Sequence, residues 1–197
     1  MNNTLENIKG KSIKKLDIDL EKGGDFIYYE GVLLAHYFNK NNTQEHYFYD
    51  WCDTDKIINR WLLHKVNEQD LIAFLNKKMS SLELIQKNQS CYFIDIDANI
   101  EHKQILICDV KDIPKSYLPK ETAYFDEDLY EEYAIELKQK LEKRLRKNLE
   151  KDTISKIKKV KTSLTNAFHL TQKDKKAQLE QEISSFLDGL YKKYANQ

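Results

Sequence analysis

Asp95 and Asp97 stand two apart in the apolar stretch from Cys91 to Asp97, so on an extended strand both carboxylates project to one side. Paired carboxylates can hold Mg2+, as nuclease and nucleotidyl-transfer chemistry requires, and Glu101, His102 and Asp109 follow across an expected hairpin. The same pattern also describes a strand that runs from core into solvent, with Asp97 at a turn, and that plainer account is preferred. Asp50, Asp53 and Asp55 surround Trp51 and Cys52. Asp is a common turn and cap residue, and no histidine stands at the spacing of a first-row metal site. His36, His46 and His64 fall in expected strands and can converge on one sheet face, whereas His102 and His169 are dispersed. A triad is defined by partnered geometry, and no nucleophile–base spacing marks one. GxSxG, Walker A, HExxH and GxGxxG motifs do not occur. Cys52, Cys91 and Cys108 are odd in number and form no CxxC pair, against a disulfide framework or a zinc site. Cys108 lies in an apolar strand and reads as core. No catalytic residue, metal ligand or cofactor is therefore assigned.

The second chemical feature is charge. From Lys138 to Lys161 the chain carries eleven Lys or Arg against Glu142, Glu150 and Asp152, a net charge of about +8. Asp126, Glu127, Asp128, Glu131, Glu132 and Glu136 form an acidic cluster just upstream. Lys140, Lys143, Arg144, Lys147 and Lys151 follow i, i+3, i+4, i+7, i+11 and share one side of a helix. Such a stripe can be solvated, can dock on a partner protein, or can lie on a phosphate backbone. An aromatic group, Tyr47, Tyr49 and Trp51, alternates on one expected strand face. Exposed, it would be a partner-binding or base-stacking surface; covered, it is ordinary sheet packing.

The elements that position these residues follow from periodicity. Leu16, Ile18 and Leu20 alternate with charged residues, as in a half-buried strand. Glu21-Lys22-Gly23-Gly24-Asp25 reads as a turn. Strands are expected at 26–38 with Gly31 as a bulge, at 46–51, 61–66, 91–97 and 105–110. Asn67 with Asp70, and Ser80 with Glu83, are capping patterns that open short helices. Pro114 and Pro119 end the sheet region. After Thr122 there is neither Gly nor Pro until Gly189. Leu129, Tyr133, Leu137, Leu141, Leu145 and Leu149 recur every four residues, a spacing that overshoots the helical period by about 40° per step, so the stripe winds. Asn148, Asp152 and Thr153 mark a possible break, and Thr171 with Asp174 an expected cap of a final helix. The fold class expected is α+β: a mostly antiparallel sheet with short helices over residues 1–125, then a C-terminal helical hairpin over 126–197.

Several segments together resemble a small uncharacterised family of bacterial α+β domains. They are Tyr28-Tyr29-Glu30-Gly31 leading into Val32-Leu33-Leu34, Tyr47-Phe48-Tyr49-Asp50-Trp51 and Arg60-Trp61-Leu62. Met79-Ser80-Ser81-Leu82-Glu83-Leu84, Tyr92-Phe93-Ile94-Asp95-Ile96-Asp97 and Asp112-Ile113-Pro114-Lys115-Ser116-Tyr117-Leu118-Pro119 complete the set. The resemblance covers about residues 14–125 and not the helical tail. It implies the α+β fold and no activity.

Charge is balanced overall at 32 basic against 32 acidic residues, so the whole molecule is no polycation. No apolar run approaches the ~18 residues of a membrane span, and the N-terminus has no signal-peptide core. A reducing cytoplasm is the expected setting. The expected role is a non-catalytic interaction or adaptor subunit with a protein partner on the helical tail. A nucleic-acid-binding accessory protein is the alternative, and a metal enzyme using Asp95 and Asp97 the third.

Overall fold

Alternation of apolar and polar residues places two sets of side chains on opposite faces of an extended chain, and both sets here are apolar enough to need cover. The computed structural model describes residues 5–55, 57–168 and 174–195. Seven strands, β1 (Lys11–Ile13), β2 (Leu20–Tyr28), β3 (Val32–Asn39), β4 (Asn42–Thr54), β5 (Ile58–Val66), β6 (Ser90–Asp97) and β7 (His102–Asp109), form one sheet. Every pairing is antiparallel and the order is β1-β7-β6-β5-β4-β3-β2. Strands β2 to β7 are thus a meander, and β1 closes onto the far edge through Ile13 opposite Ile105.

One face presents Phe26, Leu34, Phe48, Leu62, Val66, Phe93 and Leu106, all buried. Helices α1 (Glu68–Leu75) and α2 (Ser81–Gln86) cover it through Leu71, Phe74, Leu75, Leu84 and Ile85. Both helices start where the capping patterns put them. The Asn67 side chain accepts from the Asp70 N–H, and Ser80 and Glu83 exchange bonds in a complete capping box. The other face holds Tyr47, Leu63, Ile94 and Ile105, packed by Ile13, Leu16, Ile18 and Leu20. The segment 14–19 is irregular and only the last of its expected alternation, Leu20, enters a strand.

The Gly23-Gly24 segment is strand, not turn: both glycines lie inside β2, at a register shift between Lys22 and Gly24. The reason is a ring rather than a bend. A Cβ at either position would overlap the side chain of Tyr133, and one at Gly23 would also come within 2.7 Å of His36 Nδ1. Only glycine leaves that slot open.

Helix α3 (Glu132–Phe168) runs unbroken through Asn148, Asp152 and Thr153. A second, α4 (Asp174–Ala195), follows. The cap expected at Thr171 lies outside the described residues. The Glu131 N–H donates to the Phe26 carbonyl, and Phe125, Ala134 and Leu141 are buried in the same cluster as Phe26 and Phe48. The compact unit that contains the sheet accordingly runs through Lys143, and a second unit comprises Arg144–Gln197.

Candidate interaction surfaces

In the second unit the described residues of an apolar stripe stay at the surface. None of the described side chains from Arg144 onward is buried. Leu145, Leu149, Ile154 and Ile157 on α3 stay exposed at 38–53%, and on α4 Phe186 and Tyr191 reach 49% and 75%. Thr153, Val160 and Leu164, with Leu179, Ile183, Leu187 and Leu190, are half-buried. Of the five residues of the expected basic stripe, Lys140, Lys143, Lys147 and Lys151 are exposed and Arg144 is half-buried. Lys140 reaches toward Glu136 at 3.9 Å, a loose i,i+4 pair of the kind that contributes little.

The aromatic face is mostly packing. Tyr47 is buried, and burial, then the neighbouring Glu45 carboxylate, push its hydroxyl up to about 12. Tyr49 stacks on Trp61 at 4.7 Å and meets Tyr37 edge-on at 5.6 Å. Its hydroxyl is pushed up by burial, then by Tyr37. Of the three residues proposed from sequence, Trp51 alone is open, at 38%, with its indole N–H donating to Asn59 Oδ1 at 3.3 Å. The more exposed aromatics are Tyr28 and Tyr29 at the β2–β3 turn.

The carboxylates are committed to the fold. Arg60 donates to both oxygens of Asp95 at 2.8 Å, and both side chains are buried. The same guanidinium donates to the Glu6 carbonyl and to the Tyr117 hydroxyl. Asp97 pairs with Lys103 at 2.8 Å and accepts from the backbone N–H groups of Asn99 and Glu101. Lys103 first, then the Glu101 N–H, hold its carboxyl below the usual range. Asp95 therefore neutralises a cation and Asp97 closes a turn. Asp55 accepts from the Ile57 and Ile58 N–H groups, and Asp53 from that of Thr54. Among the described residues no group of three or more His, Cys, Asp or Glu is arranged to hold a metal ion. The thiols are free, and burial pushes Cys91 up to about 12 and raises Cys52 and Cys108. None is poised as a thiolate nucleophile.

The three histidines do meet on one face, as their strand positions predict. His36 Nε2 lies 2.9 Å from His46 Nδ1, and His36 Nδ1 lies 2.7 Å from the Tyr133 hydroxyl. Neutral imidazoles satisfy both bonds with the protons running in either direction. His64 Nε2 donates to Asp50 Oδ2 at 3.1 Å, while its buried Nδ1 has no hydrogen-bond partner. His102 is exposed and His169 lies outside the described residues. Burial first, and the charge of His46 second, lower His36 to about 3. This chain of groups docks the first turns of α3. Sequence reasoning found its histidines and missed its partner, since nothing local links Tyr133 to a position 97 residues earlier. The glycine pair beneath that ring was the available signal.

Among the described residues no helix is long and apolar enough to cross a membrane. No family model matches the chain, and no curated protein or solved structure matches it.

Proposed function

We propose that this protein is a non-catalytic interaction subunit of a bacterial cytoplasmic assembly, and that the helical arm beyond Lys143 engages a protein partner. One observation carries the proposal: no described side chain of the arm is buried, while Leu145, Leu149, Ile157, Phe186 and Tyr191 remain exposed. Apolar area left in water costs about 25 cal/mol per Å2, and covering it contributes to binding what remains after the entropy cost of association. Trp51, Tyr28 and Tyr29 supply a second, smaller contact area on the sheet unit. The resemblance proposed for about residues 14–125 supports a bacterial origin, and three free thiols support a reducing compartment. The non-catalytic role is supported by carboxylates and thiols already engaged in packing and ion pairs.

The test is crosslinking and affinity purification from cells expressing the full chain, wild type beside Leu149→Asp/Ile157→Asp. A defined partner captured by the wild type and lost from the variant is the expected result. Unchanged capture by the variant, or nucleotide or nucleic-acid turnover with Mg2+ or Mn2+ that Asp97→Ala abolishes, would overturn the proposal.

A further inference from the structure

The apolar side of the arm leaves its opposite side unexplained. At about 100° per residue, Arg144, Lys147, Lys151, Lys158 and Lys161 of α3 fall within an arc of about 100°. They extend about 26 Å along the axis. Ile154, Thr162 and Thr165 share the arc, and the acids of this stretch, Glu150 and Asp152, fall outside it. Leu149, Thr153, Ile157, Val160 and Leu164 occupy the other side. Lys147, Lys151, Lys158 and Lys161 are exposed, and among the described residues no carboxylate lies within ion-pair distance of any of the four. Two other lysines of α3 are paired, Lys138 with Glu127 at 2.7 Å and Lys156 with Asp152 at 2.8 Å.

We infer that this side of α3 binds the phosphate backbone of a nucleic acid. A single sign of charge sustained for about 26 Å matches a linear polyanion, which carries a phosphate about every 3.4 Å along each strand. A folded acidic protein mixes signs over that distance. Lipid headgroups offer the same phosphate chemistry in a plane, and the vesicle arm of the experiment separates them from a linear nucleic acid. Lysine ammonium groups are point charges that contact phosphates without reading bases, so the binding is sequence-tolerant and steeply salt-dependent. This inference uses the basic side of the helix and stands independently of the protein partner proposed for the apolar side.

The experiment is fluorescence anisotropy of the full chain with labelled duplexes of about 20 base pairs and two unrelated sequences, between about 50 and 200 mM salt. Both duplexes should bind alike, with log affinity falling against log salt at a slope of about −4, the value for four lysines on phosphates. Lys147→Glu/Lys151→Glu/Lys158→Glu should weaken binding at least about 30-fold at the lowest salt and flatten the slope by about 3. Lys9→Glu/Lys14→Glu/Lys15→Glu changes net charge equally at exposed lysines of the sheet unit and should change affinity less than about threefold. Circular dichroism checks that the variants fold. If the Glu variant does not, the same three positions changed to Gln should flatten the slope by the same amount. Absence of binding by the wild type, equal loss in the control variant, or tighter stripe-dependent binding to phosphatidylserine vesicles or polyglutamate would overturn the inference.

Discussion

Acid should loosen the sheet unit through His36, and the size of the effect follows from its surroundings. The ring is 1% exposed, with His46 on β4 and the Tyr133 hydroxyl on α3 at its two nitrogens and the β2 glycines beside it. Burial, then His46, lower its pKa from 6.5 to about 3. Between those values the unfolded chain binds a proton that the folded one refuses. Stability is therefore fully present above about pH 6.5 and falls as pH drops toward 3. One such proton is worth about 1.4 kcal/mol per pH unit, so acidification from pH 7 to 5 should cost about 2 kcal/mol, and to pH 4 about 3. For a chain of this size the step to pH 5 lowers Tm by about 4–8 °C. The assay is urea unfolding at pH 7, 6 and 5, followed by the fluorescence of Trp51 and Trp61, with wild type beside His36→Gln. Glutamine keeps a hydrogen-bonding amide but cannot titrate. The variant should start less stable by about 1–3 kcal/mol at pH 7 and converge on the wild type as pH falls. The depressed carboxylates of Asp97 and Glu127 titrate lower, and the comparison with His36→Gln isolates the share of this pair of rings, His36 and His46, between pH 6 and 5. Equal pH slopes for the two proteins in that range would refute the reasoning.

Gly24→Ala should cost about 1–3 kcal/mol by driving a methyl into the Tyr133 ring, and almost nothing further in a Tyr133→Ala background; a double-mutant cycle by chemical denaturation measures this. Asp95→Ala strands the buried Arg60 guanidinium and should cost about 3–5 kcal/mol, whereas Asp97→Ala removes a turn contact and should move the midpoint far less. Leu141→Asp places a charge among core residues at a site 3% exposed and should cost about 3–5 kcal/mol. Leu149→Asp, eight residues on along the same helix, should stay under about 1 kcal/mol, because its site is 38% exposed. Thermal melts of the pair check the contrast.

The antiparallel sheet was readable because most strands have their own alternation, but the β2–β3 hairpin turns at Tyr29–Gly31, where a bulge was expected. Both helix caps were readable for the same local reason. Where local signals failed, a distant residue had decided the outcome. Gly23-Gly24 carries the composition of a turn, yet Tyr133 needs the space and the strand continues beneath it. Asn148, Asp152 and Thr153 weaken a helix in isolation, yet α3 continues, with Asp152 paired to Lys156 at i,i+4. Tyr47 and Tyr49 were correctly placed on one face with Trp51. Part of their cover, Leu16 and Ile18, comes from an irregular segment that periodicity cannot dock. Asp95 and Asp97 were read as a strand end running into solvent, yet Asp95 is buried, because Arg60, 35 residues away in sequence, neutralises it.

The order in which this chain leaves the ribosome now acquires a meaning. Strands β2 to β7 are sequential neighbours, with only the β5–β6 connection lengthened by α1 and α2, so the meander can form as it emerges. Tyr133 arrives only after the last strand, and its contact with His36 spans 97 residues. Until then the nascent sheet holds an empty slot over its two glycines and an open β2 edge, a template for pairing with another chain. The Glu131 N–H bond to Phe26 and the tyrosine ring over the slot are therefore late events in biogenesis that shield this edge. A chain arrested before residue 130 is expected to be the aggregation-prone species, and the first turns of α3 to act as a built-in chaperone for the sheet that precedes them.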